Sequence, residues 1–389
     1  NSLEDHITAQ KNSQENFNTN LLWSFRYKRP ITKLLNIVSS YKGTYKKLVM
    51  NDSYTLYDTL KQLYVEDVTR MVLQNQYENT HSLSLSGSGA VANFQYDLGV
   101  FIEYITSTIK NNVSGSDYVT HFHSFNPSFL ISKDLSENGR IRFSYTRRTY
   151  YPLNKFLNPY TDYSDSTHLI VGNPKLIPGI RTTYSAKYSI IDGNYGGDIS
   201  ASYSLTTNGI QSVSTLINST VMRTTYENLA TQKSYGIDLS FSGRFFNWLE
   251  IGPNLSVDQN EFISPTVNTK GRGWSSYMRT KLSFDQFKFQ FDFQYSPSSV
   301  YAQQTNKANF SANAAAKTLL FDKSLSLTFR VTDIFNTKNN NYDRSGSNFS
   351  MINSTRENTR IFTLYISYFF QSKANDIIEE PLEEVPDDF

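Results

Sequence analysis

Residues 286–296 read Gln-Phe-Lys-Phe-Gln-Phe-Asp-Phe-Gln-Tyr-Ser, QFKFQFDFQYS. Phe287, Phe289, Phe291, Phe293 and Tyr295 occupy every second position, and Lys288, Gln290, Asp292 and Gln294 fall between them. A β-strand sends successive side chains to opposite faces, so this stretch is a strand with one aromatic face and one polar face. Two environments suit it. The polar face could meet bulk water over a packed core, or it could line a wet lumen while the aromatic face meets lipid.

The rest of the chain decides between them. Its 389 residues are 38% hydrophobic, yet Phe and Tyr number 27 each. That is little apolar material for a soluble core and an excess of rings. No run of about 18 apolar residues exists, so the sequence has no helical membrane span, a test that alternating barrel strands pass unseen. Cysteine is absent, which removes disulfides, zinc–thiolate sites and cysteine nucleophiles together.

Alternation recurs from end to end. Phe17, Leu21, Trp23, Phe25 and Tyr27 share one face, as do Phe94, Tyr96, Leu98, Val100, Ile102 and Tyr104. Further rows are Ile141–Tyr145, Tyr235–Phe245 and Leu325–Val331, and the last is Phe362, Leu364, Ile366, Tyr368 and Phe370. The segments that carry these rows are about 9–13 residues long, the length a tilted strand needs to cross a bilayer. Charges such as Arg140, Arg142, Asp97, Glu103 and Asp292 lie on the opposite faces, and in that number they cannot sit unpaired in a dry core. The connections alternate as well. RPIT (29–32), GAVAN (89–93), SENG (136–139), DGNYGG (192–197), FNW (246–248), DQ (285–286) and FDKS (321–324) are short. The connections 46–76, 108–116, 151–178, 261–272, 297–307 and 335–357 are long and polar, provided 223–245 is one strand.

The expected fold is therefore all-β, a transmembrane antiparallel up-and-down barrel spanning 1–371, followed by an acidic tail at 372–389. Phe287, Phe289, Phe291, Phe293, Tyr295 and the row Phe362–Phe370 should face lipid. Arg140, Arg142, Asp97, Glu103, Gln290 and Asp292 should face the lumen, with Arg140 and Arg142 pairing to Asp97 or Glu103. Long connections should be extracellular and the tail periplasmic. About sixteen strands are expected, LEDHITAQ (3–10) supplying one, and 55–73 is the one plausible short helix. Since single-chain bacterial barrels have even strand numbers and no free edges, more strands are expected upstream unless the first closes on the last.

The stretch 125–190 carries the strand IRFSYTRR, then LNPY (157–160), then GNPKLIP (172–178) and a returning strand. Together with TTYENLATQKSYGIDLSFSGRFFNWLEI (224–251), LSLTFRVTDIFNT (325–337) and RIFTLYISYFF (360–370), it resembles the TonB-dependent-receptor-like outer-membrane barrels of Bacteroidota. Tyr151-Pro152 stands where that family usually has Arg-Pro. The resemblance implies a 22-stranded barrel with a plug, ligand-gated uptake of a siderophore, peptide or glycan, and TonB as partner. The alternative is a plug-less scaffold bound to a surface lipoprotein or another outer-membrane protein.

Outer-membrane lipid, lipopolysaccharide included, is a partner on either reading, and nucleic acid is not. No catalytic set is evident, so no enzyme, cofactor or metal is expected. GSGAVA (87–92) reads as a turn rather than a dinucleotide loop. His121 and His123 share a strand face without a third metal ligand. Asp162 and Asp165 in DYSDS could bind calcium, but a solvated loop is the simpler reading.

Overall fold

A computed structural model describes residues 7–370 except 33–34, 59–60, 67–71, 112–116, 163–164, 166, 229–230, 264–267, 301–302, 347 and 356–357. The acidic tail, and the first residues of LEDHITAQ, lie outside the described residues.

The chain runs as successive hairpins: β1 (Ile7–Thr32), β2 (Leu35–Asp58), the short β3 (Leu63–Glu66), β4 (Val72–Val91), β5 (Phe94–Asn111), β6 (Asp117–Asp134) and β7 (Gly139–Tyr150). A one-turn helix, α1 (Asn154–Leu157), and the short β8 (Thr161–Asp162) and β9 (His168–Val171) follow. Then come β10 (Gly179–Asp192), β11 (Tyr195–Thr207), β12 (Ile210–Leu216), β13 (Met222–Asn228), β14 (Thr231–Phe246), β15 (Leu249–Ile263), β16 (Asn268–Phe284) and β17 (Phe287–Ser296). The rest are β18 (Ser299–Val300), β19 (Gln304–Asn306), β20 (Asn309–Leu320), β21 (Leu325–Thr332), β22 (Tyr342–Ser345), β23 (Ser350–Asn353) and β24 (Ile361–Tyr368).

One antiparallel sheet takes the long strands in chain order, β1-β2-β4-β5-β6-β7-β10-β11-β14-β15-β16-β17-β20-β21-β24, with β3 added on β2. Two small sheets, β12-β13-β9-β8 and β18-β19-β22-β23, are built from the connections. The all-β up-and-down class read from alternation is the observed one. Among the described residues β1 pairs only with β2 and β24 only with β21, so no ladder joins the two ends of the sheet.

The turns after β1, β4, β6, β10, β14, β16 and β20 lie at one end of the sheet, and at the other the connections after β7, β11, β17 and β21 are long. Those expected at 46–76, 108–116 and 261–272 shrink to 59–71, 112–116 and 264–267 because the ladders extend into them. The turns use left-handed residues: Ala92 and Asn93 (φ 48° and 67°), Gly193 (φ 56°), Asp285 (φ 45°), and Phe321, Asp322 and Lys323 (φ 51°, 49° and 69°). Tight hairpins need such positive φ to match the strand twist.

Three expectations give way. Ile7–Gln10 continue β1 rather than forming a separate strand, and the sixteenth strand is β3. Residues 223–245 are two strands, since β13 leaves the main sheet to pair with β12 and β9 while β14 returns to it. The suggested helix 55–73 is the end of β2, then β3, then the start of β4. Its helical spacing is overridden by pairing, Thr55–Asp58 lying against Leu63–Glu66.

The register keeps the two faces distinct across the sheet. One row of facing residues reads Phe25–Tyr41–Leu83–Ile102–Phe125, and its neighbour on the other face reads Ser24–Lys42–Ser82–Glu103–Ser124. On the aromatic face, Phe129, Tyr145, Tyr184, Tyr203 and Tyr235 form a continuous ladder over five strands, with ring centroids 5.0–6.4 Å apart. Slipping one strand by one residue would swap its faces, so these rows fix the register.

Candidate functional site: a roofed cavity on the polar face

The polar face is a wall of small hydroxyls holding spaced charges. Ser40 and Ser84 are 2.7 Å apart, Ser144 and Ser185 2.8 Å, and Thr183 and Ser204 2.9 Å. Ser82 donates to Glu103 at 2.9 Å, and Ser256 and Ser200 donate to Asp238 at 2.6 and 3.2 Å. Lys46–Glu78, Lys187–Asp198, Lys281–Glu250 and Arg279–Asp292 are ion pairs of 2.8–3.1 Å. Basic residues also stand directly opposite one another, Arg142 to Lys187, Arg148 to Arg181 and Lys288 to Lys317. Asp198 offsets the charge of Lys187 in the first of these pairs, and like charges so placed otherwise cost stability.

The six residues read as polar-face all lie on this wall, by register. Gln290 and Asp292 hydrogen-bond each other at 2.8 Å, and Asp292 also takes Arg279 and the Tyr277 hydroxyl. The expected partner of Arg140 is corrected. Its Nε and Nη2 grip both oxygens of Asp134, across their own hairpin, rather than Asp97 or Glu103. Asp97 instead stands opposite Ser88 and Leu130. Phe287, Phe289, Phe291, Phe293 and Tyr295 share the other face, as do Phe362, Leu364, Ile366 and Tyr368, all four of them exposed. Phe370 follows the end of β24 and is also exposed.

At one place apolar residues of the polar wall are buried together. Ile105, Ile109 and Phe122 come from β5 and β6, and Leu157 and Leu176 come from the connection between β7 and β10; all five are buried in one cluster. That connection folds back onto the wall. Gln74 and Asn158 exchange a reciprocal amide pair, 3.2 Å each way, and Ser107 donates to Asn154 at 2.8 Å. Phe122 packs its ring on Tyr151 at 5.8 Å, and burial pushes the Tyr151 phenol up to about 12, so it stays neutral. Leu157 is 2% exposed, and burying such a side chain contributes roughly 1.5–3 kcal/mol.

The motif residues shape this strap. A Cβ at Gly172 would lie 2.3 Å from the Asn158 carbonyl oxygen, so only glycine lets these backbones meet. Asn173 donates its backbone N–H to the Phe156 carbonyl at 2.6 Å and its side-chain amide to the Tyr226 carbonyl at 2.9 Å. Asn228 donates to the carbonyls of Ile177 and Asn208.

Under the strap, against β1–β5, lies a cavity of about 1190 Å³. Its lining mixes Lys42, Lys46, Glu78, Glu103 and Asp162 with Asn18, Asn20, Asn154 and Asn158 and the rings of Phe101, Tyr151 and Tyr160. The two small sheets are linked to each other above the wall. The Gln303 amide accepts from the Ser214 N–H at 2.9 Å and donates to its carbonyl at 3.4 Å, and Asn348 does the same for Leu216 at 3.4 and 3.0 Å. Sequence reading did not single out Gln74, Gln303 or Asn348, and carried Asn158 only as part of LNPY. The one available signal was Ile105 and Ile109 falling on the face of Glu103 and Ser107.

Asp165 spends its carboxylate on Thr167, taking its N–H and hydroxyl at 2.8 and 2.6 Å. Among the described residues no group of three His, Asp or Glu side chains could hold a metal.

The profile of the outer membrane protein beta-barrel family matches residues 1–368. A search of curated proteins finds no match. Several solved structures share the fold. The copper transporter OprC aligns over 92% of this chain and 59% of its own, at 8% identity and a TM-score of 0.72. The ferric citrate transporter FecA gives 92%, 55%, 11% and 0.68, and the ferric yersiniabactin uptake receptor FyuA from Yersinia pestis 93%, 56%, 9% and 0.64. The chain therefore spans a little over half the length of these structures.

Proposed function

The chain belongs to the outer membrane protein beta-barrel family, and from that premise we propose that it forms the larger part of a gated uptake barrel. The cavity beneath the inward-folded strap carries this reading. A barrel serving only as a scaffold has no need to fold a connection back over a polar wall. The aromatic face meets lipid, and the hydroxyl-rich face lines the lumen. Long connections form the extracellular roof.

The fold likeness to transporters of copper and ferric citrate and to a ferric yersiniabactin receptor supports uptake of a nutrient complex, such as a siderophore, a peptide or a glycan. Arg148 facing Arg181 suits anionic cargo or an acidic segment inside the lumen. As in the receptors that the sequence resembles, a plug and energy coupling through TonB complete the device.

Competition growth of cells lacking the protein, on a panel of ferric siderophores, peptides and oligosaccharides as limiting nutrient, tests this. A growth defect on one class, reproduced in wild-type cells by a protonophore, is expected. Equal growth on every nutrient, with the protein recovered in a stable complex with a surface lipoprotein, would replace uptake by the scaffold reading.

A further inference from the structure

We propose that His81, His121 and His123, grouped around Tyr104 on the aromatic face, form a binding site for the phosphate groups of an outer-leaflet lipid. The proposal rests on the reading that this face meets lipid.

The site follows from the register. Tyr104 stands directly between His81 on β4 and His123 on β6, and His121 is one position further out, opposite Thr106. All three histidines are exposed, as is Tyr104. On each strand they come where the apolar run stops. Along β4 the outward residues read Leu85, Leu83, then His81. Along β6 they read Ile131, Phe129, Pro127, Phe125, then His123 and His121. On β2 the row reaches Tyr41, Gly43 and Tyr45 before Lys47. The indole of Trp23 lies over Gly43, where a Cβ would come within 2.1 Å of the ring. Tyr and Trp at the end of an apolar band mark the membrane interface, where lipid phosphates lie.

The imidazoles are set for donation. Tyr41 Oη lies 2.8 Å from Nδ1 of His81, and the two rings stack. Tyr104 Oη and Thr106 Oγ1 lie 3.1 and 3.2 Å from Nδ1 of His121. Where one of these hydroxyls donates to Nδ1, which has a single lone pair, the ring hydrogen of His81 or His121 stands on Nε2 and is left for a ligand.

The charged surroundings agree. From β2 the facing charge is Lys47, whose ammonium lies over the Tyr77 ring of β4. From β5 and β6 it is the Lys110–Asp117 pair, nearer the strand ends. No carboxylate stands among the three histidines on the described strands.

The test uses the full protein, extracted from its own membrane and reconstituted in phosphatidylcholine vesicles containing diphosphoryl lipid A or its dephosphorylated form. Lipid A retained per protein after washing should fall roughly tenfold when the phosphates are absent, or on combining His81→Gln, His121→Gln and His123→Gln. The combination His81→Arg, His121→Arg and His123→Arg, which keeps donors for phosphate, should retain lipid A as the native protein does, and it decides the matter if the glutamine variant does not fold.

Equal retention of both lipids, or loss of lipid A from the arginine variant, overturns the site. Quenching of tryptophan fluorescence by bromine-labelled acyl chains reports separately on the lipid-facing reading, since Trp23 and Trp274 lie on that face. Quenching without phosphate dependence would remove this site and leave that reading standing.

Discussion

Phe291 and Asp292 are neighbours in sequence with opposite surroundings. Phe291 stands between Thr280 and Ala314 on the aromatic face, while Asp292 takes the Arg279 guanidinium, the Tyr277 hydroxyl and the Gln290 amide on the other. If the aromatic face meets lipid, Phe291→Arg should destabilise the protein by about 2–4 kcal/mol in urea unfolding from vesicles. A cysteine at 291 should resist a membrane-impermeant maleimide, and ready labelling there would reverse the two faces.

Asp333 answers to a different constraint. It is 1% exposed, adopts φ 46°, and accepts from the backbone of Thr337 and Lys338 and from the hydroxyl of Thr359. Burial alone would raise its carboxyl. The Thr359 hydroxyl and the Lys338 and Thr337 backbone bonds outweigh burial and hold it below its ordinary value. A depressed carboxyl contributes its stabilisation above the unfolded value, near pH 4, and loses it as pH falls through the folded one. Asp333→Ala should therefore cost about 2–4 kcal/mol at neutral pH. The gap to the native protein should narrow on acidification, measured as the unfolding midpoint against pH. A constant gap would show that the carboxylate charge contributes nothing.

Elements were legible where burial alternates and obscure where it does not. The long strands announce themselves because one face of each is apolar, so a period of two is written into QFKFQFDFQYS or FQYDLGVFIEY. The separation of β13 from β14 was hidden because the same polar, Thr- and Tyr-rich composition continues across residues 223–235, and only pairing distinguishes the two strands. The strap was hidden for a related reason. LNPY and GNPKLIP read as loop markers, and nothing in them states that Leu157 and Leu176 turn inward.

Ile105 and Ile109 held the clue, as apolar residues on a face that carries Glu103 and Ser107. That docking makes an element-scale prediction. Leu157→Asp places a charge among Ile105, Ile109 and Phe122 and should free the strap, since an unpaired carboxylate cannot remain there. In planar bilayers the variant should show larger or more frequent conductance steps than the native protein, with unchanged strand content by circular dichroism. Identical conductance would mean that the strap does not restrict the lumen. A peptide tag inserted within 335–357 should be detected by antibody on intact cells. Detection only after permeabilisation would place the roof on the periplasmic side.

At the scale of the molecule the open sheet sets the question. Within lipid every backbone N–H and C=O must be paired, and each orphan costs several kcal/mol. β1 and β24 each have one neighbour among the described residues, and outward residues at both edges are well exposed, Phe25 at 67% and Ile366 at 64%. Two arrangements could satisfy the edges in a membrane: β1 pairs directly with β24, or further strands stand between them. Fifteen strands lie in the ladder path, β3 being only a short addition on β2, whereas single-chain bacterial barrels have even numbers. The solved transporters align over nine-tenths of this chain with only a little over half of their own length, which also favours further strands.

We predict that in its native membrane both edges are paired to strands other than each other. Amides of β1 and β24 should then exchange with deuterium as slowly as those of β10, which is paired on both sides. Single cysteines at Phe25 and Ile366, in a chain with no other cysteine, should not form a disulfide under oxidation. Slow exchange with an efficient Phe25→Cys/Ile366→Cys crosslink would instead show a barrel closed by this chain alone. In that case restriction of the lumen would fall to the strap over the cavity.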